Sequence, residues 1–347
     1  MDVDLVAPNN VNALSVANNA EAAGYRGVWM PEMKHDPFPL LAMCVQNTST
    51  VDLGTNIAVA FARNPMTTAV LANDLQLYSR GRFMLGLGSQ VKAHVSRRFC
   101  MPWSAPADRM RDYVMAIRAI WESWRTGERL DHGGEFYQHT LMTSFFDPGP
   151  NPYGNPPVLL AGVGPKMTRV AGEVADGFLL HSFTTLQYLN SVTLPALVEG
   201  QAAAGREDLD GFQISGAVFV VTGETAADRA AADAAVRSRV AFYASTPAYL
   251  PVLQTHGWEG VGDELRTMIK ADRWSQLGEV IDDEMLDAFA IVADPPDVAR
   301  ALTDRFGSVL SRVALAAPYI TSEGFWQPIV EELRDCRPSR LGAPSSS

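Results

Sequence analysis

The stretch Gly81-Arg82-Phe83-Met84-Leu85-Gly86-Leu87-Gly88-Ser89-Gln90 is typical of a tight turn, a short buried strand and a glycine-rich exit. Glycine has no Cβ, so Gly86 and Gly88 would let a flat ligand or a neighbouring backbone come close. Ser89 and Gln90 follow at the carboxyl end of the strand, where ligands bind in parallel α/β folds. The segment therefore predicts a ligand-binding barrel.

Strand and helix patterns alternate along the rest of the chain with the rhythm of a parallel sheet. Strand patterns cover 2–7, 27–30, 53–61, 83–87, 157–161, 177–181, 212–221 and 312–317. Helical patterns cover about 11–23, 66–78, 107–126, 185–204, 226–244, 296–306 and 325–334, with one more helix beginning at Pro165. The alternation predicts an α/β fold of the (β/α)8 TIM barrel class with insertions.

The insertions are expected at about 131–156, which begins with a hairpin pattern over 131–140, and at about 247–287, which is helical. We interpret 1–337 as a single domain. The last residues, 338–347, are small and polar, which predicts a disordered tail.

Bulk composition excludes several classes of function. The 347 residues are 47% hydrophobic and 19% charged, as expected for a globular protein with a large core. The net charge of -11 argues against nucleic-acid binding, which needs a basic face. The three cysteines form no C-x-x-C pair, and no H-x-x-x-H spacing occurs, so no disulfide framework and no metal site is indicated. No apolar run has membrane-spanning length, and a reducing cytoplasm is the natural interpretation.

Residues that directly follow the strands line the active site in barrels of this class. Three of the six histidines fall at this predicted face. One histidine alone would more often be a surface or core residue, but the convergence of three favours a site. The candidates are Glu32, His35, Asn56, Ile57, Ala58, Gly88, Ser89, Gln90, His94, Gly162, Val163, Gly164, Pro165, Lys166 and His181.

The stretch Ala161–Lys166 joins the fifth strand to a helix. Pro165 suits the first helical turn, and the free N–H groups at that end can hold an anion beside the charge of Lys166. A plain strand-to-helix turn is the alternative. The stretch does not match G-x-G-x-x-G, and no Walker A motif is present, so neither NAD on a Rossmann domain nor ATP hydrolysis is supported.

Taken together, several stretches resemble the bacterial luciferase-like superfamily, and most closely its deazaflavin-dependent branch, whose cofactor is coenzyme F420. The similarity runs from about Val3 to Leu333. The matching stretches are Ala20–Trp29, Glu32–Phe38, Leu53–Pro65, Gly81–Gly88, Gly164–Lys166 and Ala175–Phe178.

The resemblance implies a place for each part of the cofactor. The ring would lie at the carboxyl end of the barrel, against a bulge in the third strand with a non-prolyl cis peptide at Asn56–Ile57. Ser89 and Gln90 would touch the ring system, and the phosphate would lie at Val163, Gly164 and the helix start beyond. The acidic tail would meet Lys92, Arg97, Arg98, Lys166 and Arg169.

The implied reaction is hydride transfer between the ring C5 and a carbon of a small organic substrate, with the protein orienting both and moving a proton. Many relatives carry a catalytic histidine directly after the acid of strand two. Here Met33 stands there, and His35 comes two residues later. We expect His35 to transfer the proton, Glu32 to orient it, and His181 to be the second candidate.

Two other functions stay open. One is an FMN-dependent two-component monooxygenase that takes reduced flavin from a partner reductase and activates oxygen. The other is a non-catalytic flavin-binding barrel, because Met33 and Val91 replace residues that relatives use in catalysis. The resemblance also implies a homodimer formed through helices beside strands two and three.

Overall fold

The computed structural model describes residues 1–335, and its main strands follow the predicted alternation. Parallel strands alternate with helices, which is the (β/α)8 barrel class that the sequence predicts. The strands are β1 (Asp2–Val6), β2 (Gly27–Met30), β3 (Asp52–Thr55), β4 (Phe83–Gly88), β5 (Val158–Gly162), β6 (Gly177–Leu180), β7 (Gln213–Val221) and β8 (Arg312–Ala316).

The helices fill the intervals between the strands and much of the second insertion. They are α1 (Ala13–Ala22), α2 (Pro37–Asn47), α3 (Pro65–Tyr78), α4 (Pro106–Thr126), α5 (Pro165–Val174), α6 (Leu186–Tyr188), α7 (Leu194–Ala203), α8 (Ala226–Ala244), α9 (Leu250–Gln254), α10 (Glu259–Lys270), α11 (Asp283–Phe289), α12 (Val298–Phe306) and α13 (Gln327–Asp335). Within the described residues, no helix combines the length and the apolar character needed to cross a membrane.

The chain forms two compact units. The amino-terminal unit comprises Leu5–Leu179 and Ala196–Gln213. Among the described residues, the carboxyl-terminal unit comprises Met1–Asp4, Leu180–Pro195 and 214–335. The single domain over 1–337 stays a prediction, and the predicted tail at 338–347 lies outside the described residues.

In the amino-terminal unit, β2 pairs with β3, and β4 pairs with β3 and β5. Every residue of β2 and β4 is buried, because a parallel sheet is covered on both faces and its strands are apolar throughout. A buried cluster of large side chains joins β2, β4, β5 and β6: Trp29, Met84, Leu159 and Leu179. Room for the indole comes from Gly54, where a Cβ would lie 2.3 Å from Trp29.

The third strand is not the continuous run that its apolar residues predict. After β3 the chain leaves the sheet, pairs again only at Ala58–Val59, and then forms a 3₁₀ turn at Ala60–Ala62. The register moves from Gly54 opposite Met84 to Ala58 opposite Leu87. Four steps along one strand thus match three along the other, so β3 carries a one-residue bulge, as the family resemblance implies.

In the carboxyl-terminal unit, β8 lies between β7 and the first residues of β1. Arg312 and Asp4 face each other across β8 and β1 in a buried bidentate pair, with Nε to Oδ2 at 2.7 Å and Nη2 to Oδ1 at 2.6 Å. α8 begins with a capping box of Thr225 and Asp228.

Elsewhere three predictions need correction and one is confirmed. α2 was not expected, although Asp36 accepts from the Phe38 amide at its start and Pro37 holds the first helical position. The helix expected over 185–204 is divided by a π-helical turn, and an additional strand at Ala290–Val292 pairs with β7. The hairpin is present, with His132 opposite His139.

Candidate functional site

The backbone at the β3 bulge is held from both neighbouring strands. The Thr55 hydroxyl donates to the Gly86 carbonyl (2.7 Å) and accepts from the Gly86 amide (2.9 Å). The Asn56 amide donates to the Met30 carbonyl (2.9 Å), and the Ile57 carbonyl accepts from the Glu32 amide (3.2 Å). The peptide bond between Asn56 and Ile57 is cis, at the position that the resemblance implies.

The two glycines of β4 leave the space that this bulge occupies. A Cβ at Gly86 would lie 1.8 Å from the Thr55 carbonyl oxygen, and a Cβ at Gly88 would lie 2.9 Å from the Ile57 side chain. The sequence allowed either a flat ligand or a neighbouring chain segment to come close to these glycines. The structure shows that a neighbouring chain segment does so. The space beside these glycines is filled by protein.

Ile57 forms an apolar floor at the end of these strands. It is half-buried and packs, together with Ala161, against the cluster of Trp29, Met84, Leu159 and Leu179. The next residue, Ala58, is buried and pairs with Leu87. The Ile57 side chain is thus supported by large buried side chains and remains partly accessible, which suits the support of a flat ring.

Glu32 is fixed by a charged network that the sequence did not reveal. Its Oε2 accepts from the Val59 amide (2.8 Å) and from Arg63 (2.7 Å), and its Oε1 accepts from Arg63 (3.2 Å). Arg63 also donates to Asp36 (2.6 Å). Burial acts to lower the pKa of Arg63, but the two carboxylates raise it overall. Glu32 therefore binds Arg63 and the chain after the bulge, and not the His35 imidazole.

The side chain of His35 is exposed, whereas its backbone is held by a buried asparagine. The His35 amide donates to Asn9 Oδ1 (2.6 Å), and Asn9 Nδ2 donates to the carbonyls of His35 (3.0 Å) and Pro31 (2.8 Å). Over residues 1–335, no hydrogen bond to the imidazole is found. The ring is accessible on a fixed backbone, and its role in proton transfer stays a prediction.

The segment after β4 turns sharply and joins the segment after β2. Gln90 has a φ of 60°, its Oε1 accepts from the Val91 amide (2.9 Å), and its carbonyl accepts from the Ser89 hydroxyl (3.1 Å). His94 is exposed and begins a π-helical turn that ends at Arg98. Arg98 donates to the Met33 carbonyl (2.7 Å), which ties the two segments together.

α5 begins at Pro165 without a side-chain cap. Its N-cap is Gly164, and a Cβ there would meet no atom within 4 Å, so the space in front of the helix is open. Gly162 instead leaves room for Met167, which would lie 2.9 Å from a Cβ. Val163 is half-buried, and Lys166 is exposed beside the helix start. An uncapped helix start next to open space is suited to holding an anion.

All candidates except His181 belong to the amino-terminal unit, where parallel pairing places the carboxyl ends of β2, β3, β4 and β5 side by side. The structure thus brings the floor, the β4 exit and the α5 start into one unit. Arg63 and Asn9 are part of this arrangement and were missed, because their partners are 22 to 31 residues away in the chain. The binding roles of these candidates stay predictions.

His181 lies in the carboxyl-terminal unit, directly after β6, among aromatic side chains. Its Nδ1 accepts from the Phe183 amide (3.0 Å), and its Nε2 lies 3.1 Å from the Tyr249 hydroxyl. The imidazole stacks on Tyr249 and meets Tyr243 edge-on, with both ring centroids at 4.8 Å. Burial lowers the pKa of His181 to about 4, so the ring is neutral at pH 7. Tyr249 was not predicted, since nothing in the insertion marks it.

Comparison with known proteins finds one family over most of the chain. The sequence model described as "Luciferase-like monooxygenase" matches residues 6–312. An uncharacterized protein of Mycobacterium tuberculosis is 48% identical over 314 residues, which cover 90% of this chain and 92% of that protein.

More distant matches have named activities. The 5,10-methylenetetrahydromethanopterin reductase of Methanolobus tindarius is 26% identical over 306 residues, covering 87% of this chain and 89% of the reductase. Among solved structures, the coenzyme F420 dependent tetrahydromethanopterin reductase from Methanopyrus kandleri has a TM-score of 0.76 at 20% identity, with 96% of each chain covered. That structure supports the barrel fold.

Proposed function

Because the chain belongs to the luciferase-like monooxygenase family, we propose that it is an F420-dependent oxidoreductase, which transfers a hydride between the deazaflavin C5 and a small organic substrate. A putative coenzyme F420-dependent oxidoreductase of Mycobacterium tuberculosis, 28% identical over 299 residues, supports this choice of cofactor within the family, and the F420-dependent reductase of Methanopyrus kandleri shares the fold. The observation that carries the proposal is the apolar floor at Ile57 in the same unit as the uncapped start of α5.

The residues of the amino-terminal unit fit the parts of a deazaflavin. Ile57 offers a supported apolar surface for a planar ring. Ser89 and Gln90 are half-buried polar residues at the β4 exit, and they would meet the ring or its side chain. The α5 start would hold a phosphate, because its first N–H groups have no side-chain cap. The exposed basic residues Lys92, Arg97 and Lys166 would meet an acidic tail.

A bound deazaflavin would donate or accept the hydride, and the protein would position the reactants and donate or accept a proton. The Glu32–Arg63 pair and the Thr55 bridge fix the bulge, so the floor would keep its place under the ring. His35 presents an accessible imidazole after β2, and we propose it as the group that moves the proton. Asn9 would keep that imidazole in place through the backbone.

Side-by-side titrations with F420 and FMN test the cofactor. We expect F420 to bind at least tenfold more tightly than FMN, with quenching of deazaflavin fluorescence. Tighter FMN binding with oxygen-dependent turnover of reduced FMN would support the two-component monooxygenase, which the name of the family favours, and would overturn the proposal. F420 binding without turnover of any alcohol, aldehyde, imine or enone would support the non-catalytic barrel.

We also propose that the protein is a homodimer formed through α2 and α3. Both helices leave large apolar side chains exposed on their surface: Met43, Val70, Leu77 and Tyr78. Burial of such side chains against a second copy would stabilise a dimer. Light scattering after gel filtration should give twice the chain mass, and L77E/Y78E should give the mass of one chain. A monomeric wild-type protein would contradict the proposal.

A further inference from the structure

The pair of His181 and Tyr249 has a defined direction of hydrogen bonding. A backbone amide only donates, so the Phe183 amide makes Nδ1 of His181 an acceptor, and the single proton of the neutral ring is on Nε2. Nε2–H therefore donates to the Tyr249 hydroxyl oxygen at 3.1 Å. The Tyr249 proton is not used in this bond. Tyr249 is thus left as a donor whose oxygen is held by His181.

The pair carries no charge at neutral pH. The pKa of His181 is lowered to about 4 by burial, so the imidazole does not take up a proton. Burial, and secondarily Tyr243, raises the pKa of Tyr249 to about 12, so the phenol keeps its proton. In the described part of the chain, no ion pair or hydrogen bond brings a Lys or Arg to either ring. A ligand at this pair would therefore meet a donor without a positive charge.

The surroundings of the pair are aromatic. Phe183 packs 5.5 Å from Tyr249 and 6.1 Å from Tyr243, measured between ring centroids, and stacks on Phe289 at 4.4 Å. Tyr249 and Tyr243 are half-buried, so part of each residue is accessible to solvent. An apolar body would gain from contact with such rings, whereas a charged group would lose its hydration without a counter-charge.

We propose that Tyr249 donates a hydrogen bond to the oxygen of an uncharged carbonyl substrate with an aromatic or other apolar body, and that His181 is the residue that positions Tyr249. The proposal rests on the proposed function in one respect, since a carbonyl is a group that accepts a hydride at carbon. It selects against carboxylates and phosphate esters, because the pair offers them one neutral donor and no cation.

Tyr319 provides a matched control in the same unit. Burial also raises the pKa of Tyr319 to about 12, but its hydroxyl already donates to the Val220 carbonyl (2.9 Å). Tyr319→Phe thus removes the hydroxyl of a half-buried tyrosine whose proton is already used in a hydrogen bond. Tyr249→Phe removes the hydroxyl of a half-buried tyrosine whose proton is available to a ligand.

Acetophenone is the probe for the test, added to the full chain without cofactor and followed by the ¹⁵N chemical shifts of His181. We expect saturable binding with a shift at Nε2, binding at least tenfold weaker in Y249F, and affinity within twofold of wild type in Y319F. Benzoate and phenyl phosphate should bind at least tenfold more weakly than acetophenone. No saturable binding, equal affinity in Y249F, or preference for either anion would overturn the inference.

Acetophenone binding to H181Q and titration of the same samples with F420 are two further tests of the inference. If Y249F does not fold, H181Q keeps the phenol but removes its imidazole donor, and we expect acetophenone affinity at least threefold lower; unchanged affinity overturns the inference. F420 titration of the same samples separates the two proposals. F420 binding without discrimination between acetophenone and the anions overturns the Tyr249 inference alone. Discrimination without F420 binding supports it and overturns the proposed cofactor.

Discussion

The two units fix their candidate functional residues by opposite means. In the amino-terminal unit, Arg63 and the Val59 amide hold Glu32, and the Thr55 hydroxyl holds β4, so backbone and charge set the geometry. In the carboxyl-terminal unit, His181 and Tyr249 are neutral and are fixed by aromatic packing. The first arrangement suits a large cofactor with anionic parts, and the second suits an uncharged ligand. Changes that damage one arrangement should therefore leave the other intact.

The largest expected effect is on the stability of the carboxyl-terminal unit. Arg312→Met removes the ion-pair partner Arg312 from the carboxylate of Asp4, which is 0% exposed. We expect the free energy of unfolding in urea to fall by about 3–5 kcal/mol, because an uncompensated charge stays buried. The affinity of the folded protein for F420 should not change, since every residue proposed to hold the cofactor lies in the other unit.

The double variant D4L/R312M controls for the loss of the arginine itself. It removes both charges, and we expect it to recover at least half of the lost stability, since apolar residues can replace a buried ion pair. Stability close to wild type in R312M would contradict the role given to the buried ion pair. Weaker F420 binding in the folded variant would contradict the assignment of the cofactor to residues of the amino-terminal unit.

A change at the β3 bulge is expected to reduce stability less than Arg312→Met does, but to weaken F420 binding more. The Cβ of Gly86→Ala would lie 1.8 Å from the Thr55 carbonyl oxygen, and a backbone atom cannot give way as a flexible side chain does. We expect a loss of about 1–3 kcal/mol in the free energy of unfolding, as for other overpacked sites. F420 affinity should fall at least tenfold, because Ile57 would move with the bulge.

Gly133→Ala is the matched control, since a Cβ at Gly133 meets no atom within 4 Å. Its stability and F420 affinity should remain close to wild type. If G86A binds F420 as tightly as G133A does, then the floor at Ile57 does not support the cofactor.

The fold could be predicted from sequence where a local pattern sets the structure. Gly81–Gln90 predicts β4 because the run is apolar, short and bounded by glycine, and the structure buries all of Phe83–Gly88. The end of β3 was predicted as strand because Ala58–Phe61 is equally apolar, and only the register with β4 shows the bulge. α2 was missed despite Asp36 and Pro37, two local signals that went unused.

The candidate site was predictable only in part, for a related reason. The bulge at Asn56–Ile57 followed from family resemblance, which carries backbone geometry that composition does not. The partners of Glu32 and His181 could not be predicted in this way. Arg63 is 31 residues from Glu32 in the chain, and Tyr249 is 68 residues from His181, in a helical insertion. Such long-range pairs leave no periodic signal in one sequence.

The smallest expected effects are on the pH dependence of stability, which should differ between a group of the carboxyl-terminal unit and a group of the amino-terminal unit. For His181 the folded pKa of about 4 lies below the ordinary 6.5, so below pH 6.5 the unfolded state takes up the proton first. Its contribution to stability is complete above pH 6.5 and is lost as the pH falls toward 4.

In the amino-terminal unit, burial acts to raise the pKa of Glu21, but hydrogen bonds from Thr50, Ser49 and Val51 hold it at about 2. Its contribution is complete above its ordinary pKa of 4.5 and is lost toward pH 2.

Urea unfolding at a series of pH values checks both windows. Between pH 6.5 and 4, H181Q should lose the part of the slope that belongs to one proton, which is at most about 1.4 kcal/mol per pH unit. E21Q should keep that slope, and it should be less stable than wild type at pH 7 but equal to it near pH 2, where Glu21 of the folded wild type is also protonated. Equal pH profiles for H181Q and wild type would show that His181 is not held neutral by its aromatic neighbours, and the contrast between the charged Glu32 network and the uncharged His181–Tyr249 pair would then be lost.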